Sequence, residues 1–518
     1  MLFHAVLFTQ LLYYTYAFSI PRLPHLRTFA GASHSQTEQQ PLHDTTLDAW
    51  IEQEEHIALD RLLANIAPGG RNVEGKGVAP GTVIASPSQD EPNYWFQWVR
   101  DAAITMNTLV HLYASNTTTT TTTAYLSTLL TTYTTLQHHL QRTPNPSGPF
   151  TPNLHSLGEP KFNPNGTPFP HPWGRPQRDG PALRALTLMH YVRALNASNA
   201  SLWTTDFYTL FYAPELPPRS VIKADLEYVS HFWNRTSFDL WEEVDGLHFF
   251  TLMVSARALR LGSRFALAFG DPGAARWYEV QARYAEGLLA RFWNEGKGYV
   301  VATLWSGGRR SGLDCGVLLG SLHATDADDG EEEGELLFPP WSDQILLTLL
   351  SLSRDQASRF PINNRYNPER FQGIALGRYP EDTYNGYTST STGNPWFLCT
   401  STAAEILYRA AAHIARTGSL TISEVGVPFY AALLATTPTL HPGTLTAEKD
   451  KELLRRIKAR LISVGDEFLD TVRRHVDDEG AMSEQFDRGS GFMVGARDLA
   501  WSYGSFLGAV RGRRLVGS

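Results

Sequence analysis

Cysteine is nearly absent: Cys315 and Cys399 are the only two in a chain of 518 residues. Two thiols cannot build a disulfide scaffold, nor a structural zinc site without other ligands. They could pair, but their distance along the chain makes two buried free thiols the expectation. An excess of basic charge is also missing, since 44 Lys and Arg face 52 Asp and Glu for a net charge of −8. That balance disfavours a protein whose main task is to bind nucleic-acid phosphates. Charged residues reach only 19 % while hydrophobic ones make up 42 %, which excludes a disordered chain. Beyond Phe18 no uninterrupted apolar run reaches the ~18 residues of a membrane span. Convincing strand-like alternation is scarce, and no short unit repeats, which excludes a solenoid of identical repeats.

The one long apolar run is N-terminal, from Leu2 to Phe18, interrupted by Thr9 and Gln10 and followed by Ser19 and Pro21. It reads as a signal peptide over residues 1–17 (or an uncleaved signal anchor, since no Lys or Arg precedes Arg22), with a pro-segment or linker over 18–40. Five Asn-x-Ser/Thr sequons, at Asn116, Asn165, Asn196, Asn199 and Asn234, add mild support for secretion. NTTTTTTTA (116–124) and DADDGEEEGE (326–335) are expected to be solvated loops.

Helical periodicity dominates the remainder. Leu454, Ile457, Leu461, Val464, Phe468 and Val472 recur at spacings of three and four, the stripe of a long amphipathic helix. Thr45-x-x-Asp48 can cap a helix through Trp50, Ile51, Ile57 and Leu62. Further helices are expected to begin near Asp101, Ala124, Pro181, Val221, Gly246, Ala274, Asp343, Thr400, Pro428 and Val494, about a dozen in one all-α domain over 41–518.

Aromatic and charged residues coincide in five loops between these helices: 92–101, 170–181, 238–246, 377–386 with 393–399, and 482–491. A sugar offers an apolar face that stacks on Trp or Tyr and a rim of hydroxyls that Asp and Arg can hold. Hydrolysing a glycosidic bond needs two carboxyls across it. Glu242 and Glu243 follow Trp241, and Glu484 stands in a separate loop. Composition alone stops at sugar binding with hydrolysis in reach.

The strings VIASPSQDEPNYWFQWVRDAAIT, LGEPKFNPNGTPFPHPWGRPQRDGPALRA, DLWEEVDGLHFF, GLDCGVLLGSLH, GRYPEDTYNG, GNPWFLCT and MSEQFDRGSGFMVGARDLAWSY, in this order, resemble the glucoamylases of glycoside hydrolase family 15, fungal and yeast ones in particular. The likeness extends from about Leu47 to Phe506. It implies an (α/α)6 barrel and inverting release of β-D-glucose from non-reducing ends of starch, glycogen and maltooligosaccharides, with slower attack on α-1,6 links. It implies no cofactor and no metal. Glu242 matches the general acid, and Glu484 the general base that activates water. Glu243 matches a carboxylate that contacts the sugar and helps keep the acid protonated, while hydrogen bonds are expected to keep Glu484 ionised. Arg100 and Asp101 match the pair that grips the terminal glucose, and Tyr94 and Trp98 match aromatics lining that pocket. Trp173 matches a Trp over the substrate, Arg378 a sugar-binding Arg, and Trp396 a pocket wall. Asp239, Leu240 and Trp241 flank the acid and are expected among the substrate-binding residues, with the Leu240 backbone on the sugar. Inversion requires a water between base and anomeric carbon, so the two carboxyls are expected roughly 6.5–9.5 Å apart.

The chain departs from the family pattern in places. Asp245 replaces a frequent Asn and would add a third acid near Glu242; Phe486 replaces a frequent Tyr, and Gly495 a frequent Ser. The loop from Tyr387 to Gly393 is longer than in the shortest relatives. No starch-binding domain is expected after the barrel, and a secreted monomer without nucleic-acid or stable membrane partners is the default. Two other readings share the resemblance: a trehalase or glucodextranase relative, and a non-catalytic glucan-binding or regulatory homologue, the latter disfavoured by the presence of both glutamates.

Overall fold

The structure is a computed structural model that describes residues 45–115, 119–198, 205–304, 310–325, 337–364, 366–367, 370–435 and 440–517. The expected signal peptide and pro-segment, the acidic loop, and the sequons at Asn116 and Asn199 lie outside the described residues. Fourteen α-helices form among the described residues: α1 (Leu47–Ala64), α2 (Val99–Ala114), α3 (Thr120–Arg142), α4 (Asp179–Ser198), α5 (Thr205–Leu210), α6 (Val221–Phe232), α7 (Phe249–Ala268), α8 (Pro272–Leu289), α9 (Cys315–His323), α10 (Asp343–Arg359), α11 (Phe397–Thr417), α12 (Val427–Leu434), α13 (Lys451–Arg473) and α14 (Ala500–Arg514).

Packing sorts them into two rings. Helices α2, α4, α7, α9, α11 and α14 touch in that order, and α14 returns to α2, closing an inner ring. Around it α3 lies on α2, α6 on α4 and α7, α8 on α7, α10 on α9, α13 on α11 and α1 on α14. The chain thus alternates outer and inner, an all-α (α/α)6 barrel with α5 and α12 as short additions. Sequence explains the sorting. α11 is buried on every side from Phe397 to Ala411, as an inner helix must be. α13 buries one stripe, the Leu454–Val472 pattern above, and shows charge outward. The two approach so closely that a Cβ on Gly465 would lie 2.6 Å from Tyr408.

Two local expectations change. The threonine run enters α3 rather than forming a loop throughout: Thr119 caps it, accepting from the Thr122 amide at 3.3 Å. Hydroxyls of Thr123, Thr128 and Thr132 bond back to the carbonyl four residues earlier, so they are satisfied within the helix. The starts placed near Gly246 and Val494 are short strands, Asp245–His248 and Met493–Val494, with helices beginning at Phe249 and Ala500. Cys315 and Cys399 are distant only in sequence. Both are free and buried, and they are hydrogen-bonded to each other at the starts of α9 and α11.

Glu54 on α1 is fully buried, and neither carboxyl oxygen has a hydrogen-bond partner among the described residues. Burial raises it from 4.5 to about 9, with Arg61 opposing and Asp477 adding to the rise. It is therefore neutral in the folded protein at pH 7 and ionised in the unfolded chain. Its contribution to stability is intact below about 4.5 and is lost as pH rises toward 9, at roughly 1.4 kcal/mol per pH unit. A Glu54→Gln variant is expected to gain about 3 kcal/mol at pH 7 and nearly nothing at pH 4.5, read as unfolding midpoints at the two pH values.

Candidate active site

The inner helices begin at one end of the barrel, and the loops that enter them carry the site. Arg100 in the first turn of α2 donates through Nη1 to Asp179 at the start of α4 (3.1 Å). Trp98, just before α2, donates from its indole to Glu242 in the loop before α7 (2.8 Å). Trp241 donates to Asp314, the cap of α9 (3.0 and 3.2 Å). Trp396, before α11, bridges to Gln485 in the loop before α14.

Glu242 sits in a tight turn with φ +67°, the left-handed region that a non-glycine residue enters at a cost of order 1 kcal/mol. Asp239 builds that turn. Its carbonyl accepts the Glu242 amide (2.9 Å), and its Oδ1 accepts the amides of Glu243 (2.7 Å) and Val244 (3.0 Å). Its Oδ2 accepts from Arg310 at 3.1 Å. Asp239 is thus spent on shaping the loop, whereas the resemblance placed it among the sugar contacts. Glu242 Oε1 accepts from Trp98 Nε1 and Gln177 Nε2, both at 2.8 Å, and Arg100 Nη2 lies 3.8 Å away. Trp241 and Leu240 are buried beneath it; Trp241 packs on Trp396 and Trp501.

Glu243 does not crowd the acid with an unbalanced charge. It pairs with Arg378 at 3.0 Å and takes short contacts from Arg310 and the Tyr379 hydroxyl. Asp245 is exposed and accepts from Thr236 at 3.5 Å, so the expected third acid beside Glu242 does not materialise.

Glu484 is only 1 % exposed. It takes hydrogen bonds from the hydroxyls of Tyr94 and Tyr384, which stand 3.2 Å apart, and from Gln485 Nε2 at 3.2 Å. The expected hydrogen bonds are therefore present, yet burial outweighs them and the Arg378 charge, raising Glu484 from 4.5 to about 7. Gly495 has φ +77°, and a Cβ there would lie 2.7 Å from Glu484 Oε2. The frequent Ser of relatives would not fit this backbone unchanged. Gly495→Ala is expected to displace the carboxylate and cut kcat about tenfold or more with KM changed less, measured by steady-state glucose release.

Between the two glutamates the wall is continuous: Tyr94 packs on Trp98 (5.5 Å between ring centres), which holds Glu242. Asp101 is raised to about 6, by burial first, with Arg100 opposing and Glu242 adding to the rise. Arg100 Nε and Asp101 Oδ2 are buried, 3.4 Å apart, and make no hydrogen bond within the described residues. They form a buried ion pair beside Glu242. Arg378 is forked onto Asp382 (2.8 and 2.6 Å) and sits 5.1–5.4 Å from the rings of Trp241, Tyr379, Tyr384 and Trp396. Trp173 is 38 % exposed at the rim, 6.2 Å from Trp98. The structure thus gathers every residue named from the sequence around one pocket end.

The sequence profile of the glycosyl hydrolases family 15 matches residues 56–511. The chain belongs to this family. A family 15 relative, the probable glucoamylase of Schizosaccharomyces pombe, is 36 % identical over 476 residues, 91 % of this chain and 93 % of its own. An intracellular sporulation-specific glucoamylase of Saccharomyces cerevisiae is 33 % identical, covering 91 % and 85 %. The solved glucoamylase of Saccharomycopsis fibuligera superposes with a TM-score of 0.83 at 33 % identity, over 94 % of this chain and 99 % of that one. That of Hypocrea jecorina gives 0.80 at 35 %, over 91 % and 73 %. The protein is accordingly a glycoside hydrolase. Among the described residues no helix is long and apolar enough to cross a membrane.

Family membership leaves several contributors that motif reading passed over: Lys161, Gln177, Asp179, Arg310, Asp314, Tyr379, Asp382 and Tyr384. Most lie inside the quoted strings, and their roles depend on which loop meets which. Arg310 lies outside those strings and has no sequence signal at all.

Proposed function

We propose that this chain is an exo-acting glucoamylase that inverts configuration, removing terminal glucose from starch-like α-1,4-glucans and more slowly from α-1,6 links. The observation that carries the reading is that two carboxyls, Glu242 and Glu484, held on different loops, flank the buried Arg100–Asp101 ion pair and the Tyr94–Trp98 aromatic wall. The pair grips the hydroxyls of the terminal glucose, and Trp98 and Tyr94 face its ring. Glu242 gives its proton to the leaving oxygen while Glu484 takes one from water on the opposite side of the sugar. Burial raises Glu484 to about 7, against its hydrogen bonds and the Arg378 charge. A bound sugar expels the water that solvates Glu242, which favours its neutral form and leaves Glu484 to act as base.

The substrate test is glucose release from maltotriose, isomaltose and trehalose side by side. The account expects maltotriose fastest and isomaltose slower; activity on trehalose alone would replace the reading with a trehalase. Passage through the secretory pathway and a monomeric state belong to the same proposal. Its support is that the sequon residues Asn165 and Asn234 are exposed, and a mass shift on enzymatic deglycosylation of the native protein checks it.

A further inference from the structure

Lys161 is an anomaly in this site. It lies on the two-residue strand Lys161–Phe162, directly opposite Trp98 in the pairing with Gln97–Trp98. The residue is 2 % exposed. Its ammonium is surrounded by four aromatic faces: Trp173 at 3.5 Å, Phe96 at 4.1 Å, Phe169 at 4.3 Å and Trp98 at 4.4 Å from the ring centres. The rings themselves interlock, with Phe96 on Trp98 (6.0 Å) and on Phe169 (5.1 Å), and Phe169 on Trp173 (5.7 Å). A buried ammonium is costly, and the ring faces offset part of that cost. Removing the charge would lower that cost, so packing alone does not explain a lysine here.

We propose that Lys161 is a positioning residue for the acid: its ammonium orients the indole that holds Glu242 and sets the pH above which the acid has lost its proton. The inference rests on the assignment of Glu242 as general acid. Two effects act in the same direction. A cation on the face of Trp98 polarises the indole and makes its N–H a stronger donor to Glu242 Oε1, 2.8 Å away. The positive charge also stabilises the Glu242 carboxylate through space. Both favour the ionised acid. Burial lowers the lysine to about 8, with Glu242 opposing and Arg175 adding to the fall, so it stays charged through acidic and neutral pH. The other groups that face Glu242 are Gln177 and Arg100, with Asp101 beyond Arg100. Gln177 reaches the edge of the cage through the Gly174 carbonyl, and Arg175 stands 5.8 Å from Phe169, but among these groups the Lys161 ammonium is the one on the face of Trp98.

The cage also fixes the platform for the sugar beyond the scissile bond. Trp173 at the rim and Trp98 inside share one cation, so their relative tilt of 60° is set by Lys161 as well as by their own contact.

The experiment is the pH profile of kcat on maltotriose for the parent, Lys161→Met and Lys161→Arg. Methionine keeps the apolar stem and removes the charge; arginine keeps the charge. The alkaline limb of Lys161→Met is expected to move upward by at least about half a pH unit, roughly a threefold gain in relative kcat well above the parent limb. The acid limb should stay in place, because Glu484 lies on the other wall. Lys161→Arg should keep the parent limb even if its kcat falls. If Lys161→Met does not fold, Lys161→Gln serves as the uncharged variant. A folded uncharged variant with both limbs in the parent position, or with both displaced equally, overturns the proposal. A parent without activity on maltotriose would instead remove the glucoamylase reading on which it rests.

Discussion

Glu242→Gln is expected to lower kcat on maltotriose about 10²- to 10⁴-fold with KM changed only a few-fold. The amide oxygen of Gln can accept the same bonds from Trp98 and Gln177 that Glu242 Oε1 accepts. The turn made by Asp239 uses only backbone atoms of residues 242–244. Packing is therefore kept, and what disappears is the proton. The loss should shrink sharply on an α-glucoside with an acidic phenol as leaving group, since such a group departs without protonation. Glu484→Gln should impair both substrates alike, because a water must be activated in either case. This contrast decides the direction of the chemistry. Burial raises Glu484 to about 7, which by itself would suit the opposite roles. If the phenyl glucoside rescued Glu484→Gln and not Glu242→Gln, the acid and base would have to be exchanged.

Arg378→Met is expected to be damaging twice over. Arg378 is buried at 3 % exposure and neutralises Asp382 through two hydrogen bonds and Glu243 through a third contact at 3.0 Å. Removing one member of such a buried pair typically costs 3–5 kcal/mol, so about that loss is expected in chemical denaturation. Its charge also favours the ionised base. Without it the acid limb of the pH profile should move upward, and kcat/KM should fall about 10²-fold or more. Adding Asp382→Asn should recover part of the stability, because the stranded carboxylate is gone, and none of the activity. A double variant that regained activity would show that Arg378 serves the scaffold alone.

How much of this was legible beforehand differs by level. The helical stripe Leu454–Val472 marks the outer helix α13 because one face meets water. An inner helix such as α11 is buried all round, and a stripe cannot show with which neighbours it closes a ring. Cys315 to His323 escaped notice as a helix for the same reason: eight of its nine residues are buried. Site motifs located the loops, and the structure brought them together as expected. Their internal division of labour was not readable. Asp239 looks like a ligand contact in a motif and proves to be a turn builder, because its acceptor atoms meet amides four and five residues ahead. Glu243 beside Glu242 suggests mutual repulsion, yet Arg378 and Arg310 come from distant loops to neutralise it. Burial of Glu484 depends on four loops meeting, so its direction of shift could not be inferred from the Tyr and Gln that bond to it. Lys161 carries no signal in sequence, since its meaning comes from four rings supplied by two other stretches of chain, 96–98 and 169–173.

The most direct test of the central claim is the anomeric form of the first glucose released from maltotriose, followed by proton NMR before mutarotation. If Glu242 and Glu484 act as acid and base in a direct displacement by water, the product is β-D-glucose from the non-reducing end. Initial release of α-D-glucose would mean retention through a covalent intermediate and would contradict the roles given to both carboxyls.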